Sequence, residues 1–282
     1  MAGRCGEFVR LPDIDQQQDI AGGKPHLKWY HQFIPHDTHD WDPAMPPVLF
    51  TGTVDGKARS LVAAGDKAGN FWILDANNGH LVHHTAVSFQ YHQDLAPSEA
   101  GNVACPNTNG GIEYNGGAYD PTTNTFFVPS INQCGKWKAY AKPVYVAGQF
   151  YLGGAFPTLI GPNWGWFNAL DVDTGVFSWR HYLPLPANGG ALVMADGGQS
   201  VVFTGELGGD FDAFDGKTGK LLWHHDTGAS IVAPPATYVV DGARYVVVAS
   251  GDPGFLKVPE MTQPPGPAVL TAFTLKPASG SH

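Results

Sequence analysis

The most informative stretch of the chain is a short acidic segment at residues 36–42, which lies between two apolar runs. It holds two histidines and three aspartates within seven residues, namely His36, Asp37, His39, Asp40 and Asp42. This many polar groups favour a loop over a core, because unpaired polar groups are costly to bury. Carboxylates on such a loop suit a hard metal ion or a cofactor. A zinc or iron site that uses the histidines is the alternative, although no third ligand stands out.

Composition describes a folded, turn-rich protein. The chain has 282 residues, enough for one large all-β domain or two small ones. Only 15% of the residues are charged, which argues against general disorder, and 36 glycines with 23 prolines indicate many turns. The net charge of -9 argues against a nucleic-acid partner, because little positive charge is available to neutralise phosphates. No apolar run reaches about 18 residues, so no membrane span is expected.

A turn signal of the form Asp-x-x-Thr/Asn-Gly recurs along the chain. Clear copies begin at Asp75, Asp171 and Asp215, and a weaker copy occupies residues 120–124. Counted together, these starts are 45, 51 and 44 residues apart. An aromatic residue follows each clear glycine at an offset of four: His83, Trp179 and Trp223. A degenerate copy around residues 22–23 would end at Trp29.

These turns lie between short β-rich runs, such as residues 71–74 and 211–214, and long helical periodicity is absent. A period of about 40 to 50 residues with four strands per repeat is typical of a β-propeller. One blade cannot bury both faces alone, and a tryptophan on an outer strand can seal the joint with the next blade. The alternative is a sandwich of repeated hairpins, which gives no reason for tryptophan at a fixed offset. We therefore predict an all-β propeller of about four to five blades.

With these repeats in place, the chain resembles the C-terminal half of a pyrroloquinoline quinone (PQQ)-dependent alcohol dehydrogenase, an eight-bladed quinoprotein propeller with tryptophan-docking motifs. Four segments in the family's order carry the resemblance: residues 33–42, 64–75, 105–134 with the run 110–116, and 186–190 followed by 227–235. It covers residues 24–275 and leaves an unmatched segment, 1–23, and a tail, 276–282. The resemblance implies part of an eight-bladed ring, and hence a fragment or a truncated gene product.

The resemblance assigns chemistry to the acidic segment. Asp40 holds the place of the catalytic aspartate, a general base for the alcohol hydroxyl beside a bound cation. Asp42 would share a face with Asp40 in an extended segment. An acid at that second position is associated in the family with lanthanide rather than calcium use, and both ions prefer oxygen ligands. The resemblance therefore makes Asp40 and Asp42 metal ligands, and the alternative for Asp42 is a turn cap before Pro43.

Three further residues are expected to contact PQQ on the same grounds. Lys67 matches an Arg or Lys that hydrogen-bonds the quinone oxygens, and the alternative is an exposed lysine in a hairpin turn. Asn188 matches a cofactor-contacting asparagine, although Ala187 replaces the tryptophan that precedes it in many relatives. Glu113 stands where several relatives carry an asparagine, and a glutamate there could contact PQQ or substrate.

Cys105 and Cys134 have the spacing of a structural disulfide in the resembling dehydrogenases, 29 residues. The resemblance implies that they pair and that the protein works in the periplasm. The alternative is two buried free thiols in a cytosolic chain, and Cys5 is left over in either case. The first residues lack the apolar core of a signal peptide, so we expect a mature chain, a cytosolic protein or a missing natural N-terminus.

The activity implied by the resemblance is oxidation of a small alcohol to an aldehyde or ketone, with PQQ and a Ca²⁺ or lanthanide ion. No Cys-x-x-Cys-His haem motif occurs, so the electrons would pass to an external acceptor such as a cytochrome c. The family's other metal ligands lie upstream of the matched region. A missing N-terminal half or a second copy is therefore an expected partner. The alternatives are a non-catalytic propeller scaffold and an inactive half-propeller.

Overall fold

The structure is a computed structural model that describes residues 8–12, 27–262 and 266–274. Within these ranges the chain is almost entirely β-structure, with one three-residue 3-10 helix at Gly254–Leu256. Over the same residues, no helix is long and apolar enough to cross a membrane. The all-β class predicted from the sequence is confirmed.

The first strands form a two-stranded antiparallel sheet, followed by a four-stranded meander. We call the meander blade I. The two-stranded sheet consists of β1 (Phe8–Pro12) and β2 (Leu27–Gln32). Blade I consists of β3 (Val48–Val54), β4 (Lys57–Gly65), β5 (Asn70–Asp75) and β6 (Leu81–Ala86).

Three more antiparallel sheets follow, which we call blades II, III and IV. Blade II consists of β7 (Asn102–Ala104), β8 (Ala118–Asp120), β9 (Thr125–Ala139), β10 (Gly154–Asp171) and β11 (Phe177–Leu183). Blade III consists of β12 (Ala191–Asp196), β13 (Gln199–Gly205), β14 (Asp210–Asp215) and β15 (Leu221–Asp226). Blade IV consists of β16 (Ala236–Val240), β17 (Ala243–Ser250) and β18 (Val269–Thr274).

Blade I is buried on both of its faces. In β5, Phe71 and Ile73 pack in a core shared with blade II, whereas Trp72 and Leu74 pack with Trp29 of the two-stranded sheet. Successive side chains of a strand point to opposite faces, so a strand that is covered twice must be apolar at every position. This requirement explains the unbroken apolar run in β5. Further shared cores join blade II to blade III and blade III to blade IV.

Two tryptophans lock neighbouring sheets together at glycine turns. Trp29 of β2 and Trp179 of β11 each donate Nε1–H to a backbone carbonyl of the next blade's turn, at 2.9 Å in both cases. Their rings lie on Gly79 and Gly219, where an added Cβ would come within 2.4 and 2.6 Å of the indole. Both glycines also have positive φ, 72° and 70°, so any other residue would be disfavoured by backbone and contact alike. The predicted docking of tryptophan on these turns is confirmed.

A histidine fills the same role between blades I and II. His83 of β6 donates Nε2–H to the carbonyl of Asp173 at 2.9 Å, and its ring lies on Gly175. The sequence placed His83 at the tryptophan position of the repeat, and its packing role follows from that position.

One predicted repeat was wrong. Residues 120–124 form the turn between β8 and β9, near the start of blade II, whereas the three clear copies join the third and fourth strands of a blade's meander. The true copies therefore begin at residues 75, 171 and 215, which are 96 and 44 residues apart. Blade II is long because the paired strands β9 and β10 extend past β8 and β11 and are joined by residues 140–153. This extension is defined here as the blade II arm.

The disulfide implied by the resemblance is present, since the sulfur atoms of Cys105 and Cys134 are bonded. It connects the segment after β7 to β9. Cys5 and both predicted domain boundaries, near residues 23 and 275, lie outside the described residues.

The docking geometry predicts unequal effects for two tryptophans at the same repeat position. Trp179→Ala should lower the free energy of unfolding by about 3 kcal/mol, because it removes a ring packed on Phe127, Phe167 and Phe214 together with a hydrogen bond. Trp223 is 39% exposed, so Trp223→Ala should cost less than half as much. Urea unfolding followed by far-ultraviolet circular dichroism measures both. Equal losses for the two variants would contradict the docking interpretation.

Candidate functional site

The acidic segment forms a loop between β2 and β3 that Asp37 organises. Its two carboxylate oxygens accept backbone N–H groups, from His39 at 2.8 Å and from Trp41 at 2.6 Å. Asp40 lies between these two residues with φ of 63°, in the left-handed region that aspartate tolerates better than most residues. The sequence reasoning gave Asp37 no role, although an aspartate that caps following N–H groups is a familiar turn signal.

Two aromatic residues anchor the loop on the protein core. Trp41 is buried, and its Nε1–H donates to the carbonyl of Pro106 at 3.2 Å. His39 stacks on the Trp41 ring at 4.0 Å, and Trp137 meets both rings edge-on. Burial lowers the pKa of His39, although the Asp37 charge and the Leu95 carbonyl oppose the shift. Packing of this kind gives His39 a structural role.

Lys67 joins the two predicted metal ligands. Its Nζ donates to Asp40 Oδ2 at 2.9 Å and forms an ion pair with Asp42. Thr108 Oγ1 donates to the same Asp40 oxygen at 3.0 Å. Burial by itself lowers the pKa of Lys67, but hydrogen bonds and charges from Asp42 and Asp40 outweigh it, so the pKa lies above its ordinary value. The exposed hairpin lysine considered as an alternative is wrong, because Lys67 is only 9% exposed.

A buried aspartate holds the hairpin that presents Lys67. Asp66 accepts the backbone N–H of Asn70 at 3.0 Å and the indole N–H of Trp72 at 2.7 Å. Burial raises the pKa of Asp66 to about 6, against the opposing effect of these hydrogen bonds. The Lys67 N–H also donates to the carbonyl of Asp42 at 3.0 Å, which ties the hairpin directly to the acidic loop.

Blade III contains the same hairpin with different chemistry. The N–H groups of Asp66 and Glu206 both donate to the carbonyl four residues later at 3.1 Å, and the next residue is Lys67 in one hairpin and buried Leu207 in the other. The hairpin therefore does not need a lysine, since blade III builds the same turn around leucine. Burial, together with the nearby Asp210, raises the pKa of Glu206 to about 8.

Glu113 is half-buried beside the charged cluster. Burial raises its pKa to about 7; the Lys67 charge opposes this shift and the Asp42 charge adds to it. Glu113 therefore exchanges its proton near neutral pH, and it can act as a hydrogen-bond donor or acceptor toward a ligand.

Asn188 makes no hydrogen bond with this cluster among the described residues and does not line the same cavity. It is buried on the connection between β11 and β12, and its Nδ2 has no hydrogen-bond partner among the described residues. The backbone N–H after Asn188 and the backbone N–H after Ala44 each donate to the carbonyl of a glycine at the same position of its blade. Asn188 therefore occupies in blade III the repeat position that Ala44 occupies in blade I. The structure thus brings together Asp40, Asp42, Lys67 and Glu113, but not Asn188.

The four clustered residues line one cavity of about 700 Å³. Its lining includes the polar residues Asp40, Asp42, Lys67, Thr108 and Glu113. The apolar part of the lining comes largely from the blade II arm. It includes Trp137, Phe150, Leu152, Phe156 and, from the 3-10 helix, Phe255. We call this second group the apolar wall. A concave site with a few convergent charges and a largely apolar lining is typical of small-molecule sites.

Two carboxylates among the described residues have the chemistry to ligate a hard cation. Asp40 and Asp42 converge on one positive group, the Lys67 ammonium, which shows that their oxygens can meet at a cation. Calcium-like ions take six to eight oxygen ligands. Across residues 8–12, 27–262 and 266–274, however, no group of three or more His, Cys, Asp or Glu side chains is arranged to hold a metal ion. The zinc or iron alternative therefore gains no support in this part of the chain.

Comparison with known proteins gives a consistent result. The family described as "PQQ: Glucose/ethanol/alcohol dehydrogenase, beta-propeller domain" matches residues 19–88 and 132–246. The quinoprotein ethanol dehydrogenase of Pseudomonas aeruginosa is 32% identical over 264 residues, which cover 83% of this chain and 41% of that protein. The lanthanide-dependent methanol dehydrogenase of Methylacidiphilum fumariolicum is 28% identical over 276 residues, which cover 90% of this chain and 43% of that protein.

Solved structures agree with the sequence matches. A europium-containing methanol dehydrogenase superposes with a TM-score of 0.69 at 28% identity, and the match covers 82% of this chain and 43% of that one. The chain spans about two fifths of the length of the curated relatives it matches. Glu113, which departs from the pattern of the resembling enzymes, lies between the two ranges that the family matches.

The buried carboxyl of Glu206 predicts a pH-dependent stability. Between about pH 4.5 and pH 8 the folded protein keeps a proton that the unfolded chain has released. The free energy of unfolding should therefore fall as pH rises through this window, by at most about 1.4 kcal/mol per pH unit. Glu206→Gln removes this loss, so the variant should be more stable than the parent at pH 8 but not at pH 5.

Urea unfolding at pH 5, 6, 7 and 8 measures the effect, with Glu99→Gln on the exposed surface as the control. A difference between Glu206→Gln and the parent protein that stays constant with pH would contradict the assignment.

Proposed function

Starting from the fact that this chain belongs to the PQQ β-propeller family of glucose, ethanol and alcohol dehydrogenases, we propose that it takes part in PQQ-dependent oxidation of an alcohol to an aldehyde or ketone. One observation carries the proposal. The carboxylates of Asp40 and Asp42 meet the Lys67 ammonium in the lining of a cavity large enough for a small molecule. A scaffold would have no use for a lysine at a position where the other hairpin carries leucine.

Each clustered residue has a proposed binding role. Asp40 and Asp42 would hold the Ca²⁺ or lanthanide ion through their oxygens. Lys67 would donate to the quinone oxygens, since its raised pKa keeps it a cation at neutral pH. Glu113 would contact PQQ or the substrate through a carboxyl that can be protonated near pH 7. Asn188 would contact PQQ through the amide whose Nδ2 has no partner among the described residues.

The chain's own residues would then manage the proton. Asp40 has a 56% exposed side chain, so one of its oxygens is accessible to a substrate hydroxyl while Thr108 and Lys67 hold the other. Asp40 accepts that hydroxyl proton as general base. Lys67 fixes the carboxylate and stabilises nearby negative charge. When bound, PQQ supplies the two-electron acceptor and the cation supplies the Lewis acid.

The surroundings of the reaction are also proposals. The electrons would leave to an external acceptor such as a cytochrome c. The bonded pair Cys105 and Cys134 supports an oxidising compartment, and we propose the periplasm. The remaining cation ligands would come from further protein, either a missing N-terminal half or a second copy, because the described residues provide two carboxylates where the ion needs more oxygens.

Titration with PQQ tests the function directly. The purified chain is titrated with PQQ in Ca²⁺ and then in La³⁺, with quinone absorbance and tryptophan fluorescence as readouts, the latter because Trp137 lines the cavity. We expect saturable, metal-dependent binding and dye-linked alcohol oxidation. If the folded chain shows neither PQQ binding nor alcohol oxidation, even at protein concentrations high enough for two copies to associate, the scaffold or the inactive half-propeller is favoured.

Replacement of the proposed base separates chemistry from binding. Asp40→Asn should lower kcat/KM for alcohol by roughly 100-fold or more, because the amide cannot accept the hydroxyl proton. Saturable PQQ binding should remain, since the asparagine carbonyl can still ligate the cation beside Asp42 and Lys67 is unchanged. Asp94→Asn, an exposed aspartate outside the cavity lining, is the control and should leave both properties unchanged. Full activity of Asp40→Asn would exclude Asp40 as the base.

A further inference from the structure

The apolar wall is assembled from separate elements around one cavity. Phe150 belongs to the connection between β9 and β10, Phe156 to the start of β10, and Phe255 to the 3-10 helix that follows β17. Three phenylalanines thus line the same cavity as the Asp40 carboxylate. This composition is not required by the blade repeat, because Phe150 and Phe255 lie outside the blade strands and Phe156 lies on the part of β10 that extends past β11.

The three rings are exposed although they are fully apolar. Phe150 is 83% exposed, Phe156 is 56% exposed and Phe255 is 76% exposed. Large apolar groups clustered in water around a concave opening mark a binding surface more often than a folding requirement. The rings therefore leave apolar area available to whatever occupies the cavity.

Backbone features hold these rings in place. The register of β10 against β9 shifts between Ala155 and Thr158, so Phe156 lies at an irregularity that can redirect a side chain toward the cavity. Leu256, next to Phe255, is buried in a cluster with Leu207 and Val258, which fixes the 3-10 helix. The N–H of Tyr140 donates to the carbonyl of Gly153 at 3.0 Å and closes the base of the connection that carries Phe150.

We propose that the apolar wall binds the hydrocarbon part of an aromatic alcohol of benzyl alcohol size or larger, with its hydroxyl at Asp40. This inference rests on the proposed function, because it takes Asp40 as the position of the substrate hydroxyl. It adds the substrate class and names Phe156 and Phe255 as the residues that determine it. Methanol or ethanol with its hydroxyl at Asp40 is too small to cover the three rings as well.

The preference follows from the area that each alcohol can cover. Burying apolar surface from both partners is the main favourable term for such ligands, and ring-on-ring contacts add to it. Truncating one phenylalanine removes that contact for an aromatic alcohol, whereas an alcohol of two carbons never makes it. Selectivity in an apolar pocket changes by roughly tenfold or more for groups of this size.

Fluorine NMR tests the proposal without PQQ or turnover. The purified chain is titrated with para-(trifluoromethyl)benzyl alcohol and, separately, with trifluoroethanol. The aromatic alcohol should bind saturably and more tightly than trifluoroethanol. Phe156→Ala and Phe255→Ala should each weaken aromatic binding by roughly tenfold and leave trifluoroethanol nearly unchanged.

Phe89→Ala is the matched control, because Phe89 is 55% exposed, close to the 56% of Phe156, and lies outside the cavity lining. It should not alter the binding of either alcohol. The proposal is overturned if trifluoroethanol binds as tightly as the aromatic alcohol, or if the two cavity variants bind the aromatic alcohol like the control. Circular dichroism spectra that match the parent protein show that a loss of binding is not a loss of fold.

These outcomes are separate from those of the proposed function. If the chain binds no PQQ but shows the expected aromatic selectivity, the proposed ligand class stands and the proposed redox activity is rejected. If the chain oxidises ethanol with PQQ and the apolar-wall variants bind both alcohols like the parent protein, the proposed activity stands and the proposed ligand class is rejected.

Discussion

The constraint on which the structure depends is that blade I is apolar on both faces and must be covered twice. Phe71 and Ile73 of β5 require one neighbour, and Trp72 and Leu74 require another. A sheet of this composition cannot remain alone in water, so neighbouring sheets stack and share their cores. The glycine turns then fix how closely they approach, because an indole or imidazole fits only where no Cβ intervenes.

Stacking of this kind also positions the site. The hairpin that carries Lys67 connects two doubly buried strands, so its position is set by the core and not by the loop itself. The acidic loop is tied to that hairpin through the Lys67 N–H and anchored by Trp41. The charged side chains of the site therefore lie on loops, and packing of the neighbouring strands and of Trp41 holds these loops in place. Charges fixed in this way are preorganised for a ligand.

Much of this could be predicted from the sequence, and the failures have physical causes. The Asp-x-x-Thr/Asn-Gly turns and the position of His83 could be predicted, because this turn geometry requires the same residue types at the same spacing in each copy. The turn at residues 120–124 resembled that pattern, since an aspartate caps many kinds of turn, and only strand pairing distinguishes them. The apolar wall could not be foreseen, because Phe156 and Phe255 are about one hundred residues apart and meet only in the folded chain.

Charge balance at the cavity explains why the polar cluster has this composition. A buried ammonium is stable only with anionic partners, and Asp40 and Asp42 supply them to Lys67. Lys67 contacts one oxygen of each carboxylate, so a hard cation would find the second oxygen of each on the same pair of residues. Glu113 adds a third carboxyl beside this cluster, and burial raises its pKa to about 7. A cation near Glu113 would favour loss of the Glu113 proton. The resulting carboxylate would supply part of the negative charge that balances the cation.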